Sequence, residues 1–350
     1  NGRISEQSNI SVAAGSTFDV NDVSDAVDSL AGAGSVTLGT GSSLNSLTIG
    51  ADNGSGTFTG VISESGHLIK VGSGTQTLSG NNTYSGTTSF DGGTLSTASL
   101  SNLGSGFLNF DTGTFTNNLT TSIDASSTGT IEVTAGQTLT QSGFIQGTAA
   151  DLIKEGDGTL IYSGVINHSG DNLINDGIVR LAANHRINNN SDVVVAAGAT
   201  FDLDGFFETV ESISGAGNVT LGNGGTLQVD ANVGAFVYSG VISETGSLVK
   251  LNGHTLTLSG ANTFTGPTSI NGGTIRFNAS NNLGDANADL SFDGGTLDLT
   301  DNNVAFSAGR LITLNSGGGT FLFSDGGLSL DIPGIISGVG TLSIDGGGEE

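Results

Sequence analysis

The sequence predicts an all-β chain, a parallel β-helix (β-solenoid) wound as a single elongated rod. Three observations carry that expectation. Strand-length stretches alternate apolar and polar residues, glycine steps punctuate them, and one long phrase returns along the chain. In "HTLTLS", Leu256 and Leu258 fall on one face and Thr255 and Thr257 on the other, the period of a half-buried strand. Glycine supplies 59 of 350 residues, while proline supplies two, Pro267 and Pro333. That glycine content is more than twice the usual share of about 7%, and glycine beside Asn or Asp suits turns that need positive φ. The repeated phrase is "SGNNTYSGTTSFDGGTL", Ser79–Leu95, which returns as "SGANTFTGPTSINGGTI", Ser259–Ile275, with ten of seventeen positions identical.

Taken in order, the long repeat is first met at "VAAGSTFDV", Val12–Val20, which answers "VAAGATFDL", Val195–Leu203. The following "DVNDVSDAVDSLA", Asp19–Ala31, has Val20, Val23, Val27 and Leu30 at helical spacing, and read alone it is an acidic amphipathic helix. Its counterpart "DLDGFFETVESIS" breaks that pattern at Gly205 and Phe206–Phe207, so both stretches are read as strands with turns. "AGAGSVTLG", Ala31–Gly39, answers "SGAGNVTLG", Ser214–Gly222, and "TGVISESGHLIK", Thr59–Lys70, answers "SGVISETGSLVK", Ser239–Lys250. The offset shifts from 183 to 180 residues between these pairs, a three-residue change assigned to a turn. A more worn copy runs from Leu152 to Val179, and another opens at Pro333–Gly346.

Copies without spacers imply one continuous stack over 1–350 rather than separate beads. The units run approximately 8–104, 105–189, 190–284 and 285–350, the last truncated. Coils of roughly 20–25 residues, each with three short strands and spaced about 4.8 Å, would give roughly fifteen turns and a rod on the order of 70 Å.

There are 33 acidic residues against eight basic ones, a formal charge of −25. That argues against nucleic acid as a partner, since phosphate neutralisation needs clustered Lys and Arg, and against direct contact with an anionic membrane. No apolar run approaches the roughly 18–20 residues that span a bilayer, and no secretory leader is read at the N-terminus. The chain is therefore read as either soluble as it stands or a piece of something larger, and the tail "SIDGGGEE", which stops in the middle of the repeat pattern, favours the piece. Absence of cysteine suits export in an unfolded state, and it removes thiolate catalysis and Cys-ligated zinc.

No Gly-x-Ser-x-Gly or Gly-x-Gly-x-x-Gly occurs, and His67, His168, His185 and His254 share no spacing. They are read as surface or turn residues, and no catalytic residue is assigned. Asp202 and Asp204, on one face of an expected strand, and Asp171 and Asp176, flanking a turn, are the calcium candidates, because stacked carboxylates can supply the six to eight oxygens of Ca²⁺. No other cofactor is expected. Lys70, Lys154 and Lys250 occupy one repeat position. They are read as outward lysines that discourage edge pairing and as contact candidates. Rows containing Thr83, Thr87, Thr263 and Asn262 are also read as outward, available to glycans or to another rod.

The phrase beginning "LIKVGSGTQTLSGNNTYSGTTSFDGGTL" resembles the passenger-associated transport repeat of bacterial autotransporters. The likeness is specific at 68–99 and 248–279, weaker at 152–183 and fragmentary near the C-terminus. "ATFDLDGFFETVESISGAGNVTLG" is similar to a segment common in such passengers. The resemblance implies a right-handed parallel β-helix secreted through a C-terminal translocator barrel. Strands of such a barrel are not read in this chain. It further implies an extracellular, non-enzymatic passenger at the bacterial surface, acting in adhesion or self-association (cell aggregation, biofilm) through the flank of the rod. The partners would be copies of itself on neighbouring cells, or host surface glycans and proteins. A passive stalk displaying another domain, or a polysaccharide-active enzyme, are the alternatives, since fold alone does not imply function.

Overall fold

A computed structural model describes residues 4–40, 45–97, 100–105, 108–110, 116–117, 120–123, 129–133, 135–136, 138–141, 144–147, 151–230, 234–300, 303–324 and 327–346. The chain divides into two compact units, Asn1–Gly170 and Asp171–Glu350. Each is a parallel β-solenoid, with every strand hydrogen-bonded to strands one coil away.

In the first unit the opening coils build three sheets. One stacks Asn9–Val12, Ser29–Gly32, Gly56–Phe58, Thr75–Leu78 and Thr94–Thr97. A second stacks Thr17–Asp19, Ser35–Thr37 and Val61–Ser63, and the third begins with Asp25–Val27, Ser46–Ile49, His67–Lys70 and Thr88–Phe90. The second unit repeats the plan. One sheet runs through Val193–Val195, Ile213–Gly215, Ala235–Tyr238, Thr255–Leu258, Thr274–Phe277 and Thr296–Leu299. Another has seven strands: Phe207–Val210, Thr226–Val229, Ser247–Lys250, Thr268–Ile270, Leu290–Phe292, Ile312–Leu314 and Ile336–Gly338.

The stretch that mimicked a helix is strand and turn. Thr17–Asp19, Asp25–Val27 and Ser29–Gly32 pair in register with later strands, as in Asp25↔Leu47 and Val27↔Ile49. Val20, Val27 and Leu30 all point inward. A chain turning corners every few residues also brings apolar groups to one side at intervals of three and four. Local periodicity therefore cannot separate the two cases, and the ladder to the next coil decides.

Inward positions stack like on like. Leu47, Leu68, Ile49, Leu227, Leu248, Leu256, Ile275 and Leu297 are each at most 1% exposed, and full burial of such side chains contributes about 1.5–3 kcal/mol apiece. The glycine in each "LSG" step is a matter of space. A Cβ at Gly80 would lie 1.7 Å from the Gly60 carbonyl oxygen, and one at Gly260 would lie 1.8 Å from that of Gly240. The second glycine of "GGT" answers a different need, with φ of 69° at Gly93 and 60° at Gly273.

Candidate contact flank

The three repeat lysines are not outward. Lys70, Lys154 and Lys250 are 1%, 1% and 0% exposed, which corrects their reading as edge-guarding contact residues. Each lies on the inward side of its strand and turns its ammonium into backbone carbonyls of the next turn. Lys70 Nζ donates to Val71 O (2.6 Å), Gly72 O (3.3 Å) and Gly92 O (3.3 Å). Lys154 Nζ donates to Glu155 O (2.7 Å) and Gly156 O (2.5 Å). Lys250 Nζ donates to Leu251 O and Asn252 O. Burial lowers the Lys70 ammonium from its ordinary range and brings Lys250 down to about 8, with Asp230 pulling the latter up. These lysines bring donors to backbone carbonyls at a corner of the coil, where buried polar groups need partners.

Asn262 is likewise inside, 1% exposed, and its outward reading is corrected. Its Oδ1 accepts the Ile242 amide (2.7 Å), its Nδ2 donates to Asn282 O (2.5 Å), and Asn282 Nδ2 donates to Gly260 O (2.9 Å). The first copy does the same: Asn82 Oδ1 accepts from Ile62 (2.7 Å), Asn82 Nδ2 donates to Asn102 O (2.5 Å), and Asn102 Nδ2 donates to Gly80 O (2.8 Å). These amides replace a strand where "NNTYS" and "ANTFT" make none. Thr83 and Thr263 are exposed beside them, and Thr87 is half-buried.

The acidic pairs do not converge. Asp202 accepts Arg180 Nε (2.7 Å), the Thr220 hydroxyl (2.9 Å) and the Asp204 amide (2.9 Å). Asp204 lies past the strand end, in a turn with φ of 48°. Asp171 and Asp176 flank Asn172–Ile174, and Asp176 Oδ1 accepts the Gly177 amide. Among the described residues no group of three or more His, Cys, Asp or Glu is placed to hold a metal ion. His168, read as surface or turn, is instead fully buried on the strand Ile166–His168.

Two outward faces, one in each unit, are nearly neutral. On the seven-stranded sheet the register sets two outward rows, one that starts on the first three strands and runs on through the residues just before the other four, and one along the strands. The first is Phe207, Thr226, Ser247, Pro267, Asp289, Leu311 and Ile335; the second begins at Thr209, itself only 2% exposed, and continues through Gln228, Val249, Ser269, Ser291, Thr313 and Ser337. Asp289 is the one charged residue in either row, and the seven strands span about 30 Å at the usual spacing. Hydroxyls link neighbours, as in Ser291 Oγ to Ser269 Oγ (2.8 Å). The matching sheet of the first unit presents Ser24, Ser46, His67 and Thr87 beside Ala26, Thr48, Ile69 and Ser89, without a carboxylate, Lys or Arg.

Much of the acid sits at corners, outside the strands, where it stitches coils together. Glu64 accepts the Gly39 amide and Glu244 the Gly222 amide, both at 2.6 Å. Asp28 accepts from Gly54 (2.6 Å) and Asp293 from Gly317 (2.7 Å).

The profile of the passenger-associated-transport-repeat matches residues 68–96, 152–181 and 248–277. These are the three stretches that carry the buried lysines. The chain is of the autotransporter passenger type. A curated relative of this passenger is the adhesin BmaC autotransporter of Brucella suis biovar 1 (strain 1330), 36% identical over 157 residues. The alignment takes in 43% of the passenger and 4% of the relative, so the chain spans only a small part of that protein's length. No solved structure matches the passenger.

Proposed function

We propose that the chain is a non-enzymatic extracellular passenger that makes adhesive or self-associating contacts through the flat faces of its solenoid. The carrying observation is the charge layout. A chain of formal charge −25 keeps much of its acid at the corners and leaves two extended faces almost free of charge. Like-charged copies or anionic cell surfaces repel it least at those faces. Ser, Thr and Gln rows supply hydroxyl and amide groups at the coil repeat, suited to a glycan or to the same row on another copy. The relative's being an adhesin supports the same reading, as does the passenger repeat for export to the cell surface.

Beads coated with the purified chain test it. Clumping, or binding to cells, should strengthen as salt screens the acidic corners within a Debye length of about 10 Å at 0.1 M. Added Ca²⁺ should act in the same direction through charge. No clumping and no cell binding across both titrations would contradict the proposal and leave a passive stalk.

A further inference from the structure

The seven-stranded sheet ends at Phe207–Val210, and a strap covers that edge. Residues 184–191 cross the edge strand Phe207–Val210 without forming a strand. The Phe207 amide donates to Asn184 Oδ1 (2.8 Å), His185 N donates to Phe207 O (3.0 Å), and Glu211 N donates to Ser191 O (3.1 Å). His185 also lays its ring 4.9 Å from that of Phe207, the first outward residue of the contact flank.

The centre of the strap is held by Glu208. This carboxyl is 0% exposed and occupies an inward column continued by Leu227, Leu248, Thr268 and Leu290. It accepts the Arg186 amide at Oε2 (2.6 Å) and its neighbour's Thr209 amide at Oε1 (3.2 Å). The arrangement is written into the long repeat. Asp25 holds the equivalent position in the first unit, is 7% exposed, and accepts the Ile4 and Ala26 amides (3.2 and 3.0 Å). Ser8 there receives the Asp28 amide as Ser191 receives that of Glu211.

We propose that 184–191 is a proton-controlled strap: with Glu208 neutral it lies closed over the edge strand, and ionisation of Glu208 loosens it and bares the head of the contact flank. The inference rests on the reading of that flank as the contact surface. Burial is the larger influence on the carboxyl and pushes it up to about 7, against the amides of Arg186, Ile187 and Thr209 and the charge of Arg186. Arg186 and His185 are the titratable strap groups nearest it, and the adjoining coil offers Leu227 and Gln228. Asp192, at the far end, is engaged by the Ser212 hydroxyl (2.6 Å). A loosened strap returns the carboxyl to water and to its ordinary value of 4.5. The closed form therefore binds the proton more tightly. Its advantage is complete below that value and is lost as pH rises through about 7.

Hydrogen exchange of the Arg186 and Phe207 amides in the full chain, corrected for intrinsic exchange, tests the strap without any partner. Protection should fall by at most about tenfold per pH unit between the two values and level off above them. In Glu208→Gln it should be flat. Wild-type protection that is flat or rises with pH overturns the proposal, as does a Glu208→Gln chain that keeps the wild-type slope. A ¹³C-carboxyl titration of Glu208 in the wild-type chain needs no variant: a midpoint near neutrality supports the strap, and one at the ordinary glutamate value overturns it. Bead clumping reads the flank separately, so either idea can fail alone.

Discussion

Residues 68–97 and 248–277 are the same phrase in two places, and they differ where difference is tolerated. Both bury a lysine, both bury an asparagine that bridges coils, and both place an aromatic ring at the bend, Tyr84 or Phe264, each 0% exposed. In the first copy the Tyr84 hydroxyl meets Thr88 Oγ1 at 2.5 Å, and Thr88 also donates to Leu103 O (3.1 Å). In the second copy the ring has no hydroxyl and Thr268 makes only the corresponding bond to Leu283 O (3.3 Å). The asparagine bridge cannot be traded in this way, because it satisfies backbone groups that have no strand to pair with. The ring can be, because Thr88 retains a backbone partner. The repeat therefore preserves backbone closure before side-chain detail.

The asparagines should give the largest effect. Asn82→Ala and Asn262→Ala each strand an amide and a carbonyl in the interior, at about 1–3 kcal/mol per group. Urea denaturation should show a similar loss of about 2–6 kcal/mol for each. A large loss in one copy and none in the other would break the equivalence. The tyrosine comes next: Tyr84→Phe makes the first copy resemble the second and should cost about 1 kcal/mol, read from the same denaturation curves. The lysines give the most gradual effect, spread over a pH range. Because the folded Lys250 has its ammonium lowered to about 8, its contribution to stability is present above the unfolded lysine range and is lost as pH falls through about 8. The neutral amine keeps two donors for Leu251 O and Asn252 O. Stability measured from pH 8 to 10.5 should rise through this residue, and Lys250→Met should remove that part of the slope.

The fold was legible because strand alternation and glycine steps are local signals, and the repeat fixed which strands correspond. The lysines show what was overlooked. Leu68 and Lys70, like Leu248 and Lys250, are two residues apart on a strand and so share a face. Strict alternation already placed the lysines inside, and the usual cost of burying a charge argued the other way. What resolves the conflict is a cluster of backbone carbonyls, which exists only once the next turn is folded. Asn262 misled for the same reason, since its partners are backbone groups about 20 residues away. Glu208 and Asp25 were within reach of the repeat alignment: both are acids in equivalent inward positions, between apolar neighbours. The neutral flats could not be read at all until the register showed which Ser, Thr and Gln residues line up from coil to coil.

The claim that the flat faces make the contacts is tested most directly by moving one charge. Ser269→Asp places a carboxylate in the centre of the seven-stranded flank, and Thr263→Asp places the same charge on the exposed bend a few residues away. With folding verified by circular dichroism, clumping or cell binding by coated beads should fall steeply for Ser269→Asp and stay near wild type for Thr263→Asp. Equal behaviour of the two variants, or a loss confined to Thr263→Asp, would contradict the assignment of the contact to the flank.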